Sequence, residues 1–265
     1  MDGILNTISD LTFFGYSFTE AFTMFTFWSF VGWCIEVVYM TLETGEFQNR
    51  GFLNGPICPI YGFGVLIVTY FARPIDHTIL LLFVVSMSIC TAVELIVGVG
   101  MEKIFHNTWW DYSHERFNYK GYICLKVSLL WGLGCLLVIR VGHPTVVNLI
   151  ERVPPFVLAI ASVVIAVLLV PDMIVSVCAI ENLNNRLRQL NEISDKLKAS
   201  SVRIGEGLAD ETLELKAKYD RLVERKAVVQ ERLLKAFPYM KSSTYGSSLE
   251  LVKESVRRKL SKKDK

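Results

Sequence analysis

Five apolar segments dominate this chain. They lie near residues 18–42, 55–72, 78–101, 122–141 and 155–180. A hydrocarbon core about 30 Å thick needs roughly 20 helical residues to cross it, so each segment is long enough or nearly long enough to span a bilayer. The second is the shortest and begins with Pro56 and Pro59, so an irregular entry is expected there. A chain 52% hydrophobic with a mean hydropathy of +0.38 is too apolar for an ordinary water-soluble domain. The expected fold is all-α: a polytopic membrane protein with about five transmembrane helices, followed by a cytoplasmic helical hairpin or coiled coil.

Charge divides the chain at Ala179. Residues 1–179 hold 8 Lys and Arg against 13 Asp and Glu, net −5, while residues 180–265 hold 20 against 13, net +7. Two physically different parts follow: residues 18–180 as a transmembrane domain, and residues 181–237 as a helical hairpin with a basic tail over 238–265. The segment 1–17 precedes them. With Asp2 and Asp10 and no Lys or Arg before Arg50, the amino terminus lacks the positive leader of a cleavable signal, so the first span is expected to be retained. Arg50, Lys103, Arg116, Lys120, Arg186 and Arg188 fall on one side of the spans, against Arg73, Arg140 and Arg152 on the other. By the positive-inside rule, this places the amino terminus outside a bacterial cell membrane and the carboxy terminus in the cytoplasm. The six cysteines, Cys34, Cys58, Cys90, Cys124, Cys135 and Cys178, show no metal-ligand spacing and are expected as small packing residues.

Slid along itself until Val31 falls on Val97, the chain partly matches its own sequence. Val31, Gly32, Glu36, Arg50, Gly55, Ile57 and Cys58 meet Val97, Gly98, Glu102, Arg116, Gly121, Ile123 and Cys124. With a short insertion of one helical turn in the second copy, Tyr61, Gly62, Gly64, Leu66 and Val68 meet Trp131, Gly132, Gly134, Leu136 and Val138. Repeat units near 31–72 and 97–141, facing the same way and related by an axis along the membrane normal, are a construction used by transporters.

Ionisable side chains inside spans cost on the order of 2.5–3.5 kcal/mol each and therefore need partners or water. The candidates for a polar site are Glu36, Arg50, Glu94, Glu102, Asp111, His114, Arg116, Lys126 and Asp172. The repeat pairs Glu36 with Arg50 and Glu102 with Arg116, and it leaves Glu94 for Lys126. Asp172 follows Pro171, which frees the Val167 carbonyl, so a hinge or cation site is expected. Structural ion pairs and a polar pathway are both consistent with these residues. Trp109 and Trp110 suit the membrane interface, while Arg50, Asp111 and His114 suit a docking surface below the spans.

Several motifs together resemble one family. They are Gly32-Trp33-Cys34-Ile35-Glu36, the run from Asn49 to Gly64 (NRGFLNGPICPIYGFG), Trp109-Trp110-Asp111-Tyr112-Ser113, and Gly121-Tyr122-Ile123-Cys124-Leu125 leading to Ser128-Leu129-Leu130-Trp131-Gly132. Over residues 20–180 the chain resembles the CmpB-like "type IV" bacterial membrane proteins, a family described as ABC-transporter permeases. The resemblance implies a transport role and supplies no active site to carry over.

From Ile180, apolar residues recur at 180, 183, 187, 190, 193, 197 and 204, and from Leu208 at 208, 215, 219, 222, 229, 233 and 236. This spacing suits helix-on-helix packing. Gly205-Glu206-Gly207 suits a turn between two antiparallel helices. One continuous helix paired with a second chain is the alternative, at a cost of about 2 kcal/mol for two glycines. Beyond Pro238 the basic residues and Leu249, Leu251, Val252, Val256 and Leu260 fit either an anionic lipid surface or a solvated tail, and nucleic acid is not needed to explain them.

Three functions remain open. A permease-like subunit needs a separate nucleotide-binding ATPase, because no G-x-x-x-x-G-K-[ST] loop occurs; five spans also favour a homo-oligomer. A structural or regulatory scaffold in the lipid bilayer is the second. An enzyme acting on lipid is the third, without H-E-x-x-H or G-x-S-x-G to support it. No cofactor is expected.

Overall fold

A computed structural model describes residues 12–75, 77–202, 208–225 and 227–261. The described residues are 76% helical and form eight helices and three two-stranded ribbons. The helices are α1 (Phe18–Thr44), α2 (Pro59–Ala72, extended by a 3-10 turn to Ile75), α3 (Ile79–Phe105), α4 (Leu125–Glu151), α5 (Pro155–Val202), α6 (Leu208–Glu224), α7 (Val228–Ala236) and α8 (Gly246–Ser261). Four of them, α1, α3, α4 and α5, are long and apolar enough to cross a membrane. The second expected span is the shorter helix α2. The architecture is that of an all-α polytopic membrane protein.

Local sequence sets the helix ends. Ser17 and Glu20 form a capping box that starts α1, and Gly45, with φ of +77°, ends it in the left-handed conformation that glycine adopts without a β-carbon clash. Pro59 opens α2 at the position where a missing N–H costs nothing. Helix α4 runs on to Glu151, past the expected boundary at 141. Pro144 has no N–H for the Arg140 carbonyl, and the helix absorbs the loss in a π turn over Val138–Gly142, where the His143 N–H reaches the Val138 carbonyl. Helix α5 continues through Pro171 without a π turn.

The chain divides into two units. The first comprises residues 1–100 and 110–174, and the second residues 101–109 and 175–265. The first unit holds a core of Met24, Phe25, Trp28, Leu66, Val146, Ile150 and Leu158. Large apolar side chains on its helices face outward, among them Leu42, Leu80, Leu137 and Leu168. In water such a surface would be strongly unfavourable, at about 25 cal/mol per Å², whereas in lipid it is solvated.

In the second unit, Ile180, Leu183, Leu187 and Leu190 are fully buried and Ile193 nearly so, which is the expected stripe of α5. Leu233, Met240, Leu249 and Val252 are also fully buried. The Gly205-Glu206-Gly207 turn lies outside the described residues. The expected second helix is interrupted around Arg225–Ala227, so α6 and α7 are separate. Arg186 spans that break. Its guanidinium donates to the carbonyls of Leu222 and Val223 in the last turn of α6, at 2.7 and 3.0 Å, and to Gln230 Oε1 in α7 at 3.1 Å. A cation there satisfies the open carbonyls and the negative end of the helix dipole together. The basic segment after Pro238 contains α8, whose apolar face is packed and whose Lys253 donates to the Pro238 and Met240 carbonyls.

Candidate functional site

Two glycines in the first unit bring its helices together in pairs. A β-carbon at Gly62 of α2 would overlap Ser29 Oγ and the Phe25 carbonyl of α1, and one at Gly132 of α4 would lie 2.6 Å from the Phe83 ring and 3.1 Å from Met87 of α3. The two cradles are equivalent. Phe25 and Ser29 on the first pair correspond to Phe83 and Met87 on the second, and Gly62 corresponds to Gly132.

Along α2 and α4 that register is the one the sequence match gives, and along α1 and α3 it differs. Carried along α1 and α3, it makes Glu94 the counterpart of Glu36, and not Glu102. Carried along α2 and α4, it makes Trp131 the counterpart of Tyr61. Tyr61 donates its hydroxyl to Glu36 Oε1 at 2.6 Å, and Trp131 donates its indole N–H to Glu94 Oε2 at 3.3 Å. The acid and its aromatic donor are 25 residues apart in the first pair and 37 in the second, so the insertion in the second copy is about three times the single helical turn that the sequence match implied.

The loops complete the two sites differently. In the first, Arg50 Nε lies 2.9 Å from Glu36 Oε2, which makes the expected pair. The NRGFLNGP run that presents Arg50 is held at several points. Trp33 donates to Asn49 Oδ1 at 2.6 Å, Asn49 donates to the Asn54 carbonyl at 2.7 Å, and Leu53 is buried. Asp172 is a third anchor: its carboxylate accepts from Asn54 N at 3.0 Å, from Asn54 Nδ2 at 2.7 Å and from Gly55 N at 2.7 Å. Three N–H donors on one carboxylate make a loop clamp, and the expected cation site is not what this geometry builds.

In the second site the expected Glu94–Lys126 pair is absent. Lys126 sits in the first turn of α4, exposed, and its ammonium reaches Glu115 at 2.8 Å, as a long basic side chain at a span end does. The hydrogen bond from Lys126 lowers the Glu115 carboxyl below its ordinary range. Glu94 instead accepts from the Tyr112 hydroxyl at 3.2 Å. Burial, with the Glu94 carboxylate close by, raises the Tyr112 phenol above its ordinary range, so it remains a donor.

The other expected residues are dispersed. Asp111 staples its own turn through the Ser113 N–H at 2.9 Å, and its Oδ1 lies 2.6 Å from where a β-carbon on Gly121 would stand. Gly121 also has φ of +75°, so both space and backbone demand glycine there. His114 and Arg116 are exposed, and Glu102, half-buried, belongs to the second unit. The tryptophans expected as twin interface anchors part company: Trp110 donates to the Tyr122 carbonyl at 2.8 Å, while Trp109 is buried in the second unit against Phe237, ring centres 4.8 Å apart.

A cavity of about 210 Å³ lies among α1, α2, α3 and α4. Its wall includes Trp28, Tyr61, Gly64, Glu94, Trp131 and Gly134. Tyr61 and Trp131 meet edge to face at 5.3 Å across the two pairs. The equivalent glycines Gly64 and Gly134 have nothing within 4 Å of a β-carbon position, so both leave open space. Cys90 and Cys135, on the same wall, are free thiols with their sulfurs 3.4 Å apart. Tyr61, Trp131 and Tyr112 were not among the expected site residues, although the repeat had already matched Tyr61 with Trp131. Among the described residues no group of three or more His, Cys, Asp or Glu is placed to hold a metal ion.

No curated protein matches the chain, and no solved structure does. A family model described as "Putative ABC-transporter type IV" matches residues 23–177, the stretch that carries both helix pairs, the cavity and the Asp172 clamp. The chain belongs to that ABC-transporter-related family of membrane proteins.

Proposed function

We propose that this chain is a permease-like subunit of a transport system, energised by a separate ATPase. The observation that carries the reading is the cavity between two equivalent helix pairs, with a buried carboxylate on its wall. Two pairs that pack alike and differ in their charged groups supply what alternating access needs: two similar bodies around one central site. The basic residues of the loops and of the carboxy-terminal part argue for a cytoplasmic position of that part, where a nucleotide-binding partner works. Five apolar helices are few for a complete pathway, so a homo-oligomer belongs to the proposal.

The test is purification of the full chain in mild detergent, followed by mass spectrometry and reconstitution into liposomes. An ATP-hydrolysing protein that accompanies the chain, and whose hydrolysis rises when the chain is present, supports the reading. An ATPase that is absent, or that is indifferent to the chain, rejects it. A scaffold is the second reading, favoured by the exposed Leu213, Val228 and Tyr239 in the second unit. It is supported if the carboxy-terminal helices retain a partner that hydrolyses no ATP.

A further inference from the structure

We infer that the cavity is a binding site for an organic ammonium ion, with Glu94 as its counter-charge. The inference deepens the permease reading and rests on it for its meaning as a substrate site.

The argument starts from charge. Glu94 is 6% exposed, and among the described residues its side-chain partners are the Tyr112 hydroxyl and the Trp131 indole, both neutral. A carboxylate offers about four acceptor positions, so two hydrogen bonds leave room for another group. Its equivalent, Glu36, is offset by the Arg50 guanidinium at 2.9 Å. The second site lacks that cation, because the loop supplies Tyr112 where the first loop supplies Arg50. A buried carboxylate without a counter-ion is costly to ionise, and a ligand that brings a positive charge removes that cost.

The wall selects the kind of cation. Trp28, Tyr61 and Trp131 stand around the same space as Glu94. Aromatic rings attract a weakly hydrated ammonium through their negative faces, most strongly when water is excluded, and alkylated ammonium ions lose little hydration on entering. A metal cation is disfavoured by the same wall, since one carboxylate does not replace the six or more oxygens that calcium takes, and magnesium dehydrates reluctantly. The open space at Gly64 and Gly134 gives room for the alkyl part of the ligand.

Choline and its uncharged isostere 3,3-dimethylbutan-1-ol, titrated calorimetrically into the full chain in detergent micelles, test the inference. Choline is expected to bind saturably, and more tightly than the isostere by on the order of tenfold. Glu94→Gln keeps an acceptor for Tyr112 and Trp131 and removes the charge. It is expected to weaken choline on the order of tenfold and to leave the isostere unchanged. Gly134→Leu fills the cavity from a position with free space and is expected to abolish binding of both; it serves as the second variant if Glu94→Gln does not fold, as judged by thermal melting.

Absence of choline binding, equal binding of the isostere, or unchanged choline binding in either variant overturns the inference. Its failure is separable from that of the permease reading. Choline binding through Glu94 without any ATPase partner leaves the ammonium site standing and removes the permease, and an ATPase partner with choline binding indifferent to Glu94 does the reverse.

Discussion

The α1–α2 and α3–α4 pairs are built on the same cradle, a glycine pressed against the neighbouring helix, with an acid and its aromatic donor further along the contact. They part at the loops. The shorter loop brings Arg50 back to Glu36 and is clamped by Asp172, whereas the longer one meets Lys126 of α4 with its Glu115 and offers Glu94 a phenol. The helix contact is alike in the two pairs while the charge balance differs, as expected where loops tolerate change far better than packed helix faces do.

The largest expected effect tests the cradle. Gly62→Ala forces a β-carbon into a backbone carbonyl that belongs to α1 and cannot swing away, while Gly132→Ala meets a phenylalanine ring that can turn. Overpacking of this kind costs about 1–3 kcal/mol, with Gly62→Ala at or above the top of that range and Gly132→Ala at the bottom. Melting of the two variants in detergent checks the order; equal melting temperatures would show that the two cradles are not as different as their walls.

The next effect concerns the charge pair that only one half possesses. Arg50→Gln leaves Glu36 without its cation and is expected to cost about 2 kcal/mol, the range for a hydrogen bond to a charged group. In a double-mutant cycle, Glu36→Gln with Arg50→Gln should lose no more than the worse single change, and additive losses would reject the pairing. Tyr61→Phe removes the hydroxyl from the same carboxylate and is expected to cost about 1 kcal/mol.

The smallest effect comes from the second half's own ion pair. Lys126→Gln breaks the contact to Glu115, but the Lys126 side chain is 66% exposed, and solvent screening leaves such a pair little weight in stability. A fall in stability as large as that of Arg50→Gln would erase the contrast between the halves.

Much of the fold was legible in the residues themselves. Apolar length located α1, α3, α4 and α5, because a bilayer imposes one length on every crossing helix, and the periodic stripe from Ile180 predicted the buried face of α5. The Arg50–Glu36 pair was legible for a similarly local reason, the need of an acid within a span for a nearby cation. The repeat register was legible along α2 and α4, where Tyr61 and Gly62 match Trp131 and Gly132, and differs along α1 and α3. In apolar helices valine and glycine recur often enough that Val31-Gly32 and Glu36 find a match at Val97-Gly98 and Glu102, whereas the register that matters is fixed by which side chain a glycine admits. The roles of Lys126 and Asp172 were hidden for a different reason: each depends on where a loop folds back, and neither Glu115 nor the Asn54–Gly55 amides advertise that in sequence. Buried tryptophan and interfacial tryptophan also share one composition, so Trp109 gave no sign of its seat beside Phe237.

The grip of Asp172 on the Asn54–Gly55 backbone makes α5 more than a wall. A rotation of that helix about its axis drags the loop by its amides, and with the loop goes the guanidinium that neutralises Glu36. Through those contacts a displacement of one rod would reach the ion pair seated on another.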